Sequence, residues 1–231
     1  MDRSDAVIAA VLWAGCVGAP IPTPPTGYPG AALASEIVSA PGDTGDGFHD
    51  ARRAVNGVRG GGQTAGSLDV YSIGLADDAL ILGFDVPVVD RDGPDLAVFE
   101  NAFAVSGGGW FIDPVVVEVS ADCEAFVAFP VDYTGGDGFV ADPARWVGFA
   151  GITPVLLNDD DHPVDPLGDE AGGDRFDLAT LGADAPDELR CVRLTSASAW
   201  LDPVTGVPYG HDPVSDGPDI DGVYGAVDAV D

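Results

Sequence analysis

Short segments of alternating apolar and polar residues follow one another along most of the chain, separated by turns rich in Gly, Pro and Asp. An alternation with a period of two residues is typical of a β-strand that is buried on one face. No segment shows the 3.6-residue spacing of a strong amphipathic helix. The predicted strands are residues 35–39, 67–72, 79–84, 95–100, 114–120, 125–130, 189–195 and 219–230.

Many short strands without a long helix predict an all-β fold, specifically an antiparallel β-sandwich with long loops. The two strands at 114–120 and 125–130 flank the four residues ADCE and predict a hairpin. One helical turn is predicted at Ala51–Val55. Between residues 131 and 188 the alternation gives way to long loops, and loops of this length in a compact domain are usually functional or mobile.

The first 16 residues predict a secretory signal, because Arg3 precedes an apolar run and small residues lead to Cys16. Ala14-Gly15-Cys16 is similar to a lipobox, in which the cysteine is acylated, although Trp13 stands where Leu is usual. The alternative is a buried N-terminal helix or strand. Residues 17–30, rich in Pro and Gly, predict a tether, and residues 31–231 a single sandwich domain.

Export bears on the two remaining cysteines, since an even pair in an oxidising compartment usually forms a disulfide. We therefore predict a bond between Cys123 and Cys191. Cys191 also lies within an apolar strand pattern, so a role as a small buried hydrophobe is the alternative.

The charge balance narrows the range of partners. The chain carries 39 acidic and nine basic residues, a formal net charge of -30, while 46% of its residues are apolar and can form a core. A field of this sign repels nucleic-acid phosphates and anionic lipids, and it favours cations. Nucleic acid is therefore excluded as a partner, and the membrane is expected only through the lipid anchor.

The stretch at residues 88–103 holds the most distinctive acidic group. Its pentapeptide DGPDL, at 92–96, returns as DGPDI at 216–220, so two acidic turns each lead into a strand. Carboxylate, amide and carbonyl oxygens in such loops are typical calcium ligands, although no EF-hand pattern occurs. Alternatively, these aspartates bond backbone amides in turns. The candidate calcium ligands are Asp90, Asp92, Asp95, Glu100, Asn101, Asp219 and Asp221.

Four aromatic residues in predicted loops are candidates for ligand binding, since a large ring can stack on a sugar or pack on a protein partner. Large aromatics are also commonly buried, so capping the sandwich core is the alternative. No serine nucleophile elbow and no zinc-protease motif occurs, and only three histidines are present. The aromatic candidates are Trp110, Tyr133, Trp146 and Trp200.

Several of these segments together resemble a family of exported bacterial cell-surface proteins, often lipoproteins. The resemblance covers most of residues 47–230 and is carried by GFHDARRAVNGVRGGG at 47–62, LILGFDVPVVDRDGPDLAVFENAF at 80–103, PVVVEVSADCEAFVAFP at 114–130 and GPDIDGVYGAV at 217–227. It implies a galactose-binding-like jelly roll, a scaffold used for glycan recognition and adhesion. It also implies a calcium ion that joins an early loop to the last strand, where Asn56 or nearby carbonyls of residues 54–57 would meet Asp219 or Asp221.

These observations predict an exported, lipid-anchored binding module of the cell surface or outer membrane, without enzymatic activity. It would recognise a glycan or another extracellular ligand, and calcium would stabilise its acidic loops. The alternative is a structural envelope or adhesion protein without a small-molecule site. A carbohydrate-active hydrolase is a third hypothesis, because such an enzyme needs only two suitably spaced carboxylates.

Overall fold

The computed structural model describes residues 21, 22, 25, 27–40, 47–75, 79–106, 108–135, 142–201, 203–206, 208 and 217–228. Across these residues the chain forms two antiparallel sheets of five strands, two short two-stranded ladders and five 3-10 helices. The prediction of an all-β antiparallel sandwich is therefore confirmed. The strands are β1 Ala31–Leu33, β2 Glu36–Ser39, β3 Tyr71–Ser72, β4 Ala79–Val88, β5 Leu96–Glu100, β6 Phe103–Ala104, β7 Trp110–Phe111, β8 Val115–Ser120, β9 Val127–Ala128, β10 Asp132–Tyr133, β11 Trp146–Val147, β12 Asp174–Phe176, β13 Leu189–Ser196 and β14 Asp219–Ala226.

The two large sheets face each other across the main hydrophobic core. Sheet A has the strand order β1-β14-β5-β12, with β3 also paired to β14, and sheet B has the order β2-β4-β13-β8-β9. Val98 and Val223 of sheet A share one buried cluster with Leu82, Val117 and Leu194 of sheet B. The apolar faces that the period-two pattern predicts are thus turned toward each other.

Sheet A is buried on both faces, because loops cover the side that points away from sheet B. Along β5, Leu96 and Val98 face the main core, whereas Phe99 packs in a second cluster with Val58 and Leu157 from the covering loops. Every residue of β5 is consequently buried. Two of the long loops in the sequence therefore form a third layer of the fold.

Strands β5 and β14 define two opposite ends of the sandwich. They run antiparallel with Leu96 opposite Gly225 and Glu100 opposite Ile220. At one end, which we call the terminal end, the amide of Val227 donates to the carbonyl of Gly30 at 3.0 Å. Glu100 and the start of β14 lie at the other end.

The predicted helical turn is present as a 3-10 helix at Ala51–Val55, and Asp50 caps its first turn. The ordered sandwich begins before the predicted domain boundary, because the Tyr28 hydroxyl donates to Asp159 Oδ1 at 2.5 Å. The predicted signal and Cys16 lie outside the described residues. In the part of the chain that the structure describes, none of the helices has the length and hydropathy required to cross a membrane.

A disulfide joins Cys123, in the turn after β8, to Cys191 in β13. The two Cα atoms are 5.2 Å apart. Cys191 lies opposite Ser120 in the β8–β13 ladder, and the Ser120 hydroxyl accepts the amide of Cys123 at 2.9 Å. The bond thus fastens the β8–β9 turn to the centre of sheet B.

Candidate functional site

The acidic candidate ligands do not form one group. Asp95 and Asp219 each precede the apolar part of a strand, and the two strands are antiparallel neighbours. The carbonyl of Asp95 therefore accepts the amide of Ala226 at the terminal end, whereas the amide of Asp219 donates to Glu100 Oε1 at the opposite end. Strand pairing therefore places Asp95 and Asp219 at opposite ends of the sandwich.

Asp90, Asp95 and Asp177 are, among the described residues, the one group whose three carboxylate oxygens lie within 4.8 Å of one another. Both oxygens of Asp95 are already used, since Oδ1 accepts the Arg91 amide at 2.8 Å and Oδ2 accepts the Leu178 amide at 2.9 Å. Asp177 caps the 3-10 helix that follows it by accepting the Ala179 amide. These aspartates order the chain at the terminal end, and exposed Asp92 lies in the same turn.

Two further candidates are also engaged within the protein. The side-chain amide of Asn101 exchanges two hydrogen bonds with the backbone of Ser67. Both oxygens of the fully buried Asp221 accept the amide of Arg59 at 3.0 Å. Burial raises the pKa of Asp221, and the bond from Arg59 opposes this effect. The resemblance implied that Asn56 or nearby carbonyls of residues 54–57 would meet the last strand. The carbonyl oxygen of Ala54 lies 4.0 Å from the position of a methyl group added at Gly222 in β14, whereas the side-chain amide of Asn56 donates to Asp69.

Glu100 is the centre of a second acidic group at the end opposite Gly30. Its side chain is only 1% exposed, and Oε2 has no hydrogen-bond partner among the described residues. The adjacent carboxylates belong to Asp113, just before β8, and to Asp219, which also accepts a bond from the Ser72 hydroxyl. All three acidic side chains are buried. We call Glu100, Asp113 and Asp219 the Glu100 centre.

The loop after Ala150 closes the Glu100 centre. A methyl group added at Gly151 would lie 3.2 Å from Glu100 Oε2 and would overlap the carbonyl oxygen of Asp113, so both oxygens lie close to Gly151. Gly151 has a φ of 77°, which favours glycine. The next two amides, of Ile152 and Thr153, donate to Asp174 Oδ2.

The electrostatics of this region reflect burial of negative charge. Desolvation raises the pKa of Glu100 well above its usual range, and the charges of Asp113 and Asp219 raise it further. Burial also raises the pKa of Asp174 to about 6, against the opposing effect of the amides that it accepts. Such carboxylates are stable in a fold only when they are protonated, hydrogen-bonded or shared with a cation.

The four aromatic candidates are brought together beside the Glu100 centre. Tyr133 and Trp146 stack with ring centroids 3.7 Å apart, and both are buried. Phe149 packs edge-on against Trp146, and Trp200 packs edge-on against Phe149. Trp110 is half-buried against the same cluster. We call this cluster the aromatic end of the sandwich.

The predicted ligand-stacking role is wrong for Tyr133 and Trp146, because their rings stack on each other in the interior. Trp200 is different, since 36% of its surface is exposed. Trp110 lies opposite Ala104 in the ladder of β6 and β7. Ala104 in turn lines a shallow groove of about 440 Å³, together with Thr64, Phe103, Val105 and Ser106. Surface aromatics and a groove therefore occur at one end of the molecule.

Two buried acids were not among the predicted site residues: Asp113 and Asp174. Asp174 lies in a segment with many other aspartates and begins β12, whereas Asp113 stands just before β8. Their burial depends on which loop folds over them, and no local pattern indicates that contact. Asp113 is followed by Pro and an apolar strand, as many exposed turn aspartates are, so the sequence offers no signal that singles it out.

No protein-family model matches the chain, and no curated protein matches it either.

Proposed function

We propose that the protein is an exported, non-enzymatic binding module that recognises an extracellular glycan with its aromatic end. The observation that carries the proposal is the position of Trp200, an exposed indole held from behind by Phe149 at a centroid distance of 5.2 Å. A ring fixed in this way presents its apolar surface to a sugar ring with little loss of side-chain entropy.

The neighbouring groove supplies the polar contacts that a sugar requires. Thr64 and Ser106 are exposed and carry hydroxyl groups at its wall, while Phe103 and Val105 provide apolar surface. Phe103 stacks on Phe111 at 5.0 Å, which fixes the groove wall. Apolar surface with a few convergent polar groups is the usual composition of a small-ligand site.

The location of this surface suits an anchored protein. Cys16 is the proposed lipid attachment point, and the N-terminal segment enters the sandwich at Gly30, at the terminal end. The aromatic end lies at the other ends of the same strands, so it would face away from the membrane. The net charge of -30 favours neutral or basic glycans over anionic ones, because like charges repel.

A glycan array probed with the wild type and the W200A and W110A variants tests this proposal. We expect W200A to lose most of the bound signal, since stacking on one aromatic ring is worth on the order of 1 kcal/mol or more. The V86A variant is the matched control, because Val86 is also exposed but lies on β4. An array without any specific signal, or equal signal from W200A, would contradict the proposal. Membrane fractionation of a C16A variant tests the anchor separately.

A second candidate is an adhesion protein that binds a second copy of itself through the same region. Val147, Leu201 and Val204 are exposed apolar residues, and Leu201 directly follows Trp200. Exposed apolar side chains next to an aromatic residue are typical of protein contacts. This candidate predicts an empty glycan array together with self-association in sedimentation experiments that an L201D variant abolishes.

A further inference from the structure

The Glu100 centre brings three acidic side chains into the interior. Glu100 makes no salt bridge with any described arginine; the arginines that form ion pairs use other carboxylates, such as Asp69 and Glu118. Glu100 Oε1 accepts the amide of Asp219 at 3.2 Å, while the buried Oε2 lies beside Gly151 and has no hydrogen-bond partner among the described residues. A buried carboxylate oxygen without a partner is costly, so it indicates a missing positive ligand.

We propose that Glu100, Asp113 and Asp219 hold a divalent cation, and that this cation is calcium. The ligand atoms that these residues offer are all oxygens: three carboxylates and the carbonyl of Asp113, which, like Glu100 Oε2, lies close to Gly151. Hard cations such as calcium prefer oxygen ligands, whereas zinc and copper sites use nitrogen and sulfur. No histidine or cysteine is within the centre.

Calcium suits a buried set of three carboxylates and a carbonyl better than magnesium, which usually keeps several waters and binds through one or two carboxylates. Calcium takes six to eight ligands in flexible geometry, whereas magnesium demands a compact octahedron. A bound calcium ion would draw the loop before β8 toward the ends of β5 and β14, since each of these segments supplies one acid.

The acidic group at the terminal end, Asp90, Asp95 and Asp177, has no buried oxygen that lacks a hydrogen-bond partner. Both carboxylate oxygens of Asp95 already accept backbone amides, and Asp177 accepts the Ala179 amide at the start of a 3-10 helix. A variant in the Glu100 centre should therefore lose calcium binding, whereas a variant in the group at the terminal end should keep it.

Thermal unfolding of the chelator-treated full chain with calcium chloride tests the proposal. We expect the Tm of the wild type to rise by about 5–10 °C when calcium exceeds the Kd about 100-fold. E100Q keeps the shape of Glu100 but removes its charge. In chelator its Tm should equal or exceed that of the wild type, because repulsion from Asp113 and Asp219 is relieved, and calcium should not raise it.

D177N is the matched control, and it should keep the full calcium response. Tryptophan emission provides a second measurement, because the aromatic end adjoins the centre; its calcium-dependent change should disappear in E100Q. If E100Q does not fold, D113N takes its place, with the same loss expected.

The proposal is overturned if about 10 mM calcium, well above the Kd of extracellular modules, leaves the Tm of the wild type unchanged. It is equally overturned if E100Q responds fully or if D177N alone loses the response. None of these readouts depends on a glycan.

Discussion

Two aspartates in the turn between β4 and β5 show how differently one side-chain type is used. Asp92 is exposed, whereas Asp95 is fully buried and accepts amides from Arg91 and Leu178. Asp95 thereby ties the turn to the segment after β12. Burial is the main cause that raises the pKa of Asp95, and the two amides counteract it. The same residue type three positions apart thus lies in water in one case and links two segments in the other.

The buried carboxyl of Asp174 should make the free energy of unfolding depend on pH. Its folded-state pKa of about 6 exceeds its ordinary value of 3.8, so the folded state binds more protons than the unfolded state between these values. The associated stability is present below about pH 4 and is lost as the pH rises through 6, an effect of about 3 kcal/mol.

We expect the free energy of unfolding in chelator to fall less between pH 4 and 7 in D174N than in the wild type. Urea unfolding followed by tryptophan fluorescence measures this difference. Parallel curves for the two proteins would show that Asp174 does not titrate as described.

At the residue scale, the sequence supported part of the candidate site. Roles that depend on neighbouring residues can be predicted from the sequence: Asp50 and Asp177 cap helical turns, as Asp residues before such turns often do. The placement of Glu100 beside Asp219 was not, because it depends on the antiparallel register of β5 and β14. The partners of a buried acid are fixed by strand register and loop closure, and neither leaves a local pattern.

At the scale of elements, the close approach of the two sheets depends on Gly225 in β14. A methyl group there would overlap Val88 Cγ2 of β4 and lie 3.1 Å from the ring of Phe84. The φ of Gly225 is outside the left-handed region, so alanine is excluded by packing and not by backbone strain. The glycine therefore sets how closely β14 packs on β4.

The G225A variant should lower the free energy of unfolding by about 1–3 kcal/mol through overpacking. V88A alone should cost about 2 kcal/mol because it leaves a cavity. The double variant should lose at least about 1 kcal/mol less than the sum, since the smaller side chain makes room for the new methyl group. Denaturant unfolding measures all three. G27A is the control, because an added methyl group contacts nothing there; strict additivity would contradict the packing argument.

Strand positions were largely predictable because the period-two pattern reports one buried face. The predicted strands at 95–100, 114–120 and 189–195 differ from β5, β8 and β13 by a single residue at one end. The strand predicted at 67–72 is reduced to β3, Tyr71–Ser72, because Ser67 bonds Asn101 instead of a ladder partner. The second buried face of sheet A was not predicted, since the loops that cover it have no periodic pattern.

At the scale of the whole molecule, the disulfide closes a chain segment that spans 68 positions in the sequence. The chain-entropy model gives about 4 kcal/mol for a loop of this length. We expect the C123S/C191S double variant to unfold roughly 10 °C below the oxidised wild type. Thermal unfolding by circular dichroism measures the difference. Adding a reductant to the double variant is the control and should change nothing; an unchanged Tm in the variant itself would show that the ladder between β8 and β13 suffices.

The pairing of β1 with β14 sets how the molecule carries mechanical load. Gly30 and Val227 are hydrogen-bonded neighbours, so pulling them in opposite directions would break the bonds between the two strands one after another, as in peeling. A pull between Gly30 and the aromatic end instead runs along the strands and loads those bonds together, in shear. The sandwich should therefore resist force between an N-terminal tether and a ligand at its far end better than force between the two chain ends.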